Sequence, residues 1–173
     1  IGAPTQFAGD LYINGDLLTT ANITATKIND WAFTGCKSLT SVVIGDSVQS
    51  IGANAFANCS SLGVEYENAY YIGTKSNPYK VLVRAKSTDI TSVQLHEDTE
   101  ILCGMAFNNC MNLQNIQFND KLTVIGDNAF QSCLALRKLN IPASVTEMSA
   151  IMFGMERLGW VRSIQFRFEI ENG

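Results

Sequence analysis

The chain has 173 residues, with 12 Lys and Arg, 16 Asp and Glu, one His and five Cys, and 46% of it is hydrophobic. That length supports one domain with a substantial core, and the net charge of −4 argues against a dedicated nucleic-acid binder. No apolar run approaches the roughly 18 residues of a membrane span. No leader-like n-region and h-region opens the chain, so it reads as a mature segment, and a single histidine leaves most acid–base and metal chemistry short of parts.

The elements recur along the chain. Residues 1–26, with Leu18-x-x-Ala21-x-Ile23, read as an N-terminal capping unit. Trp31-Ala32-Phe33 then opens a series continued by Asn54-Ala55-Phe56, Met105-Ala106-Phe107, Asn128-Ala129-Phe130 and Ile151-Met152-Phe153. The Phe-to-Phe steps are 23, 51, 23 and 23. A Cys follows four of these Phe by three residues: Cys36, Cys59, Cys110 and Cys133. Between them, Leu39-x-x-Val42-x-Ile44, Ile90-x-x-Val93-x-Leu95, Leu113-x-x-Ile116-x-Phe118 and Leu136-x-x-Leu139-x-Ile141 alternate as strands do. Polar turns at 45–47, 96–98, 119–121 and 142–144 follow, and Val48-x-x-Ile51 and Leu122-x-x-Ile125 read as second extended pieces. Residues 127–133 read as a short helix with Phe130 and Cys133 on one face. Val161-x-x-Ile164-x-Phe166 closes the series two residues long, within a C-terminal capping unit at 154–173.

The long step hides an insertion at 63–89. Residues 70–73 and 79–85 read as a β-hairpin, with 74–78 as its turn. No single unit buries both its strand side and its Phe/Cys side; stacked units do. The expected architecture is therefore one domain, residues 1–173, an α/β solenoid. It has a parallel sheet on one face, short helices on the other, and one hairpin insertion.

These units resemble the leucine-rich repeat of the bacterial surface protein A (BspA-like) type, Leu-x-x-Ile-x-Ile-Pro-x-Ser-Val-Thr-x-Ile-Gly-x-x-Ala-Phe-x-x-Cys. Leu136 to Glu147 carries it most fully, with Ile141-Pro142-Ala143-Ser144-Val145-Thr146; Ile51-Gly52 and Ile125-Gly126 supply its later part. Residues 77–85 also resemble an insertion common in the family. The resemblance runs from about residue 18 to 166 and departs at the ends, and Cys103 and Met148 stand near the family's Gly after Ile. It implies a right-handed superhelix in a secreted or surface-anchored bacterial protein. It also implies adhesion or binding of a host matrix or surface protein, without catalysis or a cofactor.

Phe33, Phe56, Phe107, Phe130, Phe153 and the four ladder cysteines are expected to form the repeat core. The spacing of the cysteines matches no zinc site, and they read as buried free thiols, as does Cys103. His96, with Glu97 and Glu100 nearby, is expected to be a solvated turn residue. Asp46, Glu97 and Asp120 share one turn position and read as solvated acids without a metal. Trp31 and Trp160, the latter beside Leu158, are expected to cap the stack.

Two surfaces are candidates for binding. One is the outward strand row of Val43, Gln94, Gln117, Asn140 and Gln165, beside Thr40, Thr91, Gln114, Arg137 and Arg162; its alternative is a solvated face. The other is the insertion, where Tyr66, Tyr70, Tyr71 and Tyr79 accompany Lys75, Lys80, Arg84 and Lys86. Its tyrosines either contact a ligand or pack the hairpin onto the solenoid. The function read from this is a non-catalytic protein-binding module. The alternatives are an architectural spacer of a larger surface protein, or a glycan-binding module.

Overall fold

The computed structural model describes residues 9–154 and the backbone of 165–168. Asn14 and Gly15 take φ of 53° and 89°, the left-handed pair that a two-residue hairpin needs, and join β1 (Tyr12–Ile13) to β2 (Asp16–Leu17) antiparallel. Each later coil contributes a first strand, a turn and a short second strand. These are β3 (Thr20–Ile23) with β4 (Lys27–Ile28), and β5 (Ser41–Ile44) with β6 (Ser50–Ile51). The insertion supplies β7 (Val64–Tyr66), β8 (Ala69–Ile72) and β9 (Val81–Ala85). The pairs resume with β10 (Ser92–Gln94) and β11 (Ile101–Leu102), β12 (Asn115–Gln117) and β13 (Val124–Ile125), and β14 (Lys138–Ile141) and β15 (Glu147–Met148), before β16 (Gln165–Phe168).

First strands pair in parallel as β3–β5, β10–β12 and β14–β16; second strands pair in parallel as β4–β6 and as β11–β13–β15. In the first strands alternate residues point inward, so Val42 and Ile44, Val93 and Leu95, and Leu139 and Ile141 are buried. The last pair is shifted from the sequence register. Leu139 faces Phe166 and Ile141 faces Phe168, which puts Arg167 opposite Asn140 and moves Gln165 opposite Lys138. The pattern built on Val161 and Ile164 is therefore two residues too early.

No helix forms on the Phe/Cys side among the described residues, which corrects the expected short helices. The backbone is left-handed two residues before Phe33, Phe107 and Phe130, at Trp31, Met105 and Asn128 (φ 61°, 61° and 54°). It is left-handed again two residues after four of the Phe, at Gly35, Asn58, Asn109 and Ser132 (φ 60–70°). Each such residue stops a right-handed helix. The N–H groups then serve two ends. Cys36, Cys110 and Cys133 close tight turns onto Phe33, Phe107 and Phe130, whereas Phe33 and Phe107 donate to the carbonyls of Ala55 and Ala129 in the next coil at 2.7 and 2.8 Å. Stacking between coils replaces hydrogen bonding along a helix.

The phenylalanines form a buried ladder. Phe33 and Phe56 stack at 5.3 Å, Phe107 and Phe130 at 5.9 Å, and Phe130 meets Phe153 at 5.9 Å. All five cysteines are buried and none is in a disulfide. Cys59 and Cys133 donate their thiols to the carbonyls of Phe33 and Phe107 (3.1 and 3.2 Å), so the ladder thiols act as small core groups that also tie coils together.

The insertion is a rung of this stack. β7, β8 and β9 form an antiparallel meander. Gly73 bridges to Val43 and accepts the Ile44 N–H at 2.9 Å, while β9 runs parallel to β11. Val81 and Val83 pack with Phe33 and Phe56, whereas Leu82 and Tyr71 pack with Phe107 and Phe130. β8 and β9 thus separate the two cores and are largely buried, while β7 forms the exposed edge.

Coils on either side of it still touch beside the Phe turn. Gly104 N–H donates to Ala53 at 3.0 Å. Asn54, 2% exposed, takes the Asp30 carboxylate through its own N–H (2.8 Å) and Nδ2 (3.2 Å), and its Oδ1 accepts the Asp127 N–H at 2.8 Å. That reach passes Gly104, where a Cβ would lie 2.8 Å from Asn54 Cγ. The slot after the second strand is glycine at Gly52 and Gly126, but Cys103 and Ser149 fill it elsewhere: Met148 pairs with Ile125, so Ser149, and not Met148, takes the slot.

Candidate functional site

The outward row of the first strands is real surface. Gln94 and Gln117 are register partners on β10 and β12 and both are exposed, as is Asn140 on β14. Val43 is only half-buried surface, because Gly73 bridges beside it. The adjoining row of Thr40, Thr91, Gln114 and Arg137 is exposed. Arg162, Trp160 and Leu158 lie outside the described residues, as do the side chain of Gln165 and most of the proposed C-terminal capping unit. Trp31 is half-buried at the first coil.

The insertion's aromatic residues turn inward. Tyr71 has no exposed surface, and burial pushes its hydroxyl up to about 12. It is a core residue, which corrects its assignment to a ligand surface. Tyr79 is half-buried and stacks on His96 with ring centres 3.8 Å apart and planes 18° apart; Tyr66 meets the same imidazole edge-on at 4.8 Å. Tyr66 and Tyr79 also touch Tyr71, at 6.1 and 5.7 Å. His96 is therefore not the solvated turn residue its sequence context suggests. Its Nδ1 accepts the Asp98 N–H at 3.1 Å, its own N–H reaches the Tyr71 hydroxyl at 3.4 Å, and Asn119 Nδ2 donates to its carbonyl. The cluster docks the insertion on the Phe107 coil. Packing of the tyrosines is one of the two readings the sequence allows, but the enclosure of His96 is not legible there, because the rings come from four separated positions that only the β7–β8–β9 meander and its docking beside β10 bring together.

The cations of the insertion are mostly spoken for. Lys80 pairs with Glu100 at 2.5 Å, and Lys86 with Glu65 at 2.5 Å; the Lys86 contact lowers the Glu65 carboxyl and raises the lysine. Arg84 lies over the Tyr70 ring, 3.7 Å from its centre, and the Tyr70 hydroxyl donates to Glu65 at 3.2 Å. Lys75 is exposed and makes no ion pair among the described residues. The turn that carries it is anchored, since Asn77 Nδ2 donates to the Asp98 carbonyl at 2.8 Å.

Between the Phe107 and Phe130 coils the strand face opens into a groove of about 690 Å³. Gln94 and Gln117 line it together with Tyr66, His96 and Phe118, and Glu97, Asp120 and Lys121 stand along one rim. Asp46, Glu97 and Asp120 are exposed. Asp98 instead holds Lys121 at 2.5 Å, and that contact lowers its carboxyl. Among the described residues no cluster of three His, Cys, Asp or Glu is arranged to hold a metal ion. On the opposite side a smaller cleft of about 270 Å³ lies where the insertion, with Ala85 and Ser87, replaces a Phe-x-x-Cys turn. Cys59 and Cys110 border it, but burial raises Cys110 to about 11 and Cys103 to about 12, so these thiols stay protonated.

Residues 13–76 and 85–167 match the BspA type leucine rich repeat region, in six copies. No curated protein matches the chain. Three solved structures are similar to it. A leucine-rich repeat protein from Bacteroides ovatus is 26% identical, with 92% of this chain and 32% of that one covered and a TM-score of 0.36. The T. pallidum leucine-rich repeat protein is 26% identical over 82% of this chain and 50% of its own, with a TM-score of 0.35. A leucine rich cell surface protein from Faecalibacterium prausnitzii is 25% identical over 91% and 41%, with a TM-score of 0.44. The chain thus spans half or less of the length of the solved proteins it matches. Among the described residues no helix is long and apolar enough to cross a membrane.

Proposed function

The chain belongs to the BspA-type leucine-rich repeat family, a family of generally non-catalytic repeat scaffolds, and from that premise we propose that it is a protein-binding module of a secreted or cell-surface bacterial protein. Its contact surface is the strand face centred on Gln94 and Gln117, and its role is adhesion to a host matrix or surface protein. One observation carries the choice of face. The strand row is exposed and held on a rigid stack, while Tyr71 and Tyr79 of the insertion pack inward and most of its cations are paired. Binding then follows from shape and polar complementarity on a preorganised surface, with little ordering cost. The same features supported the hairpin at the level of sequence, and Lys75 and Tyr70 are what remains of that surface.

The test compares the wild-type chain with two variants on a panel of immobilised extracellular matrix proteins. Gln94→Arg with Gln117→Arg should abolish capture, and Tyr70→Ala with Lys75→Ala should leave it unchanged. Loss confined to the second variant would move the site to the hairpin. Failure of the wild-type chain to bind any protein on the panel would favour the spacer reading.

A further inference from the structure

We propose that the groove between the Phe107 and Phe130 coils receives the cationic side chains of a basic, extended segment of a protein partner. This rests on the strand-face reading above and adds the chemistry of what is bound. The floor is the register pair Gln94 and Gln117, both exposed, whose carboxamides can offer oxygen acceptors to ammonium or guanidinium N–H groups. One wall is Tyr66, whose hydroxyl makes no hydrogen bond among the described residues; it is fixed edge-on against His96, which Tyr79 clamps from behind. Phe118, half-buried, borders the groove across from it and rests its edge on Phe130. Aromatic walls attract a desolvated cation through the ring quadrupole.

Charge decides the class of ligand. Lys121 is the cation at the groove, and Asp98 already holds it at 2.5 Å. Glu97 and Asp120 are exposed at the rim and make no ion pair among the described residues; Lys121 feels Glu97 as well as Asp98, yet one lysine against these three carboxylates leaves the groove with an excess of negative charge in a chain whose net charge is −4. An anionic segment is repelled there. A neutral sugar would use the amides and leave the carboxylates without a counter-charge. A lysine or arginine uses the amides, the rings and the carboxylates together, and its approach is steered by the same field.

The experiment titrates the ¹⁵N-labelled chain with a capped Gly-Arg-Gly-Arg-Gly peptide, with its Gly-Glu-Gly-Glu-Gly counterpart, and with maltotetraose. The arginine peptide should shift the side-chain amide resonances of Gln94 and Gln117 and the backbone resonances of Glu97 and Asp120. Its affinity should fall about tenfold in Glu97→Gln with Asp120→Asn, and several-fold as salt rises from about 0.02 to 0.15 M, because two carboxylates supply the attraction. Glu147→Gln, an exposed acid away from the groove, should leave it unchanged; matching melting curves show that both variants fold. Equal binding of the glutamate peptide, unchanged affinity in the double variant, no shift with the arginine peptide, or shifts with maltotetraose in its place would each overturn the assignment. None of these outcomes touches the strand-face reading, which stands or falls separately on the matrix-protein panel with the Gln94→Arg, Gln117→Arg variant.

Discussion

Replacing Gly104 by alanine tests whether one carboxamide joins coils on both sides of the insertion. Gly104 lies outside the left-handed region, so alanine brings no backbone strain of its own, and in open space the change stabilises by about 0.4–1 kcal/mol. Here the new Cβ would sit 2.8 Å from Asn54 Cγ and 3.0 Å from the Asp127 carbonyl oxygen, and closer still to Asn54 Oδ1. The carboxamide has to withdraw, and the Asp127 N–H loses its 2.8 Å partner. A buried donor left unpaired costs about 1–3 kcal/mol, and displacement of Asn54 from Asp30 adds to it, so Gly104→Ala should cost about 2–4 kcal/mol. Asn54→Ala alone should cost about 2–3 kcal/mol, for the same lost bond and the Asp30 contact. In the double variant the Asn54 obstruction is gone and only the 3.0 Å approach to the Asp127 carbonyl remains. Gly104→Ala should then cost under about 1 kcal/mol in the Asn54→Ala background, a coupling of about 1–3 kcal/mol. Urea unfolding followed by tryptophan fluorescence and circular dichroism, with an unchanged slope, measures all four corners. Equal cost of Gly104→Ala in both backgrounds would refute the bridge.

Three further outcomes follow from the same packing. A chain lacking residues 70–84 loses the partition between the two cores, so it should unfold non-cooperatively or fail to fold; a sharp melt near the wild-type temperature would show that the insertion is dispensable. Cys103 and Cys110, raised by burial to about 12 and about 11 from an ordinary 9.0, are neutral in the folded state at pH values where the unfolded chain ionises. Their stabilisation is complete below pH 9 and is lost as pH climbs toward 11 and 12, about 2–3 kcal/mol for each by pH 11. Cys103→Ala should flatten that alkaline decline, and an unchanged slope would contradict it. All five thiols are at most 2% exposed, so a thiol reagent should find five reactive groups in denaturant and react with the native chain only as fast as it opens. Rapid modification of one group in the native chain would place that cysteine at the surface.

How much of this is legible in the sequence differs from residue to residue, for physical reasons. The Phe and Cys rungs and the first strands are written in the period, because each coil must bury the same positions against the next. The absent helices were also signalled, by Gly35, Asn58 and Asn109 at one repeat position; Phe and Cys three apart mimic a helical face, but residues that tolerate left-handed backbone recur between them. Asn14-Gly15 carried the first hairpin in the same local way. What no local pattern holds is the docking of the insertion. Val81 and Val83 face one core and Leu82 the other, so β9 reads as a continuous apolar run whichever coils it separates. The enclosure of His96 and the reach of Asn54 to Asp127, 73 residues away, depend on that docking and become visible only in three dimensions.

The claim that the strand face does the recognising is tested most directly by site-specific photo-crosslinking. The crosslinker is placed at position 117 in one chain and at position 75 in another, and each is irradiated with a matrix protein that the wild-type chain captures. Crosslinking from position 117 and none from position 75 is the predicted result. Crosslinking from position 75 alone would put the contact on the hairpin and contradict it.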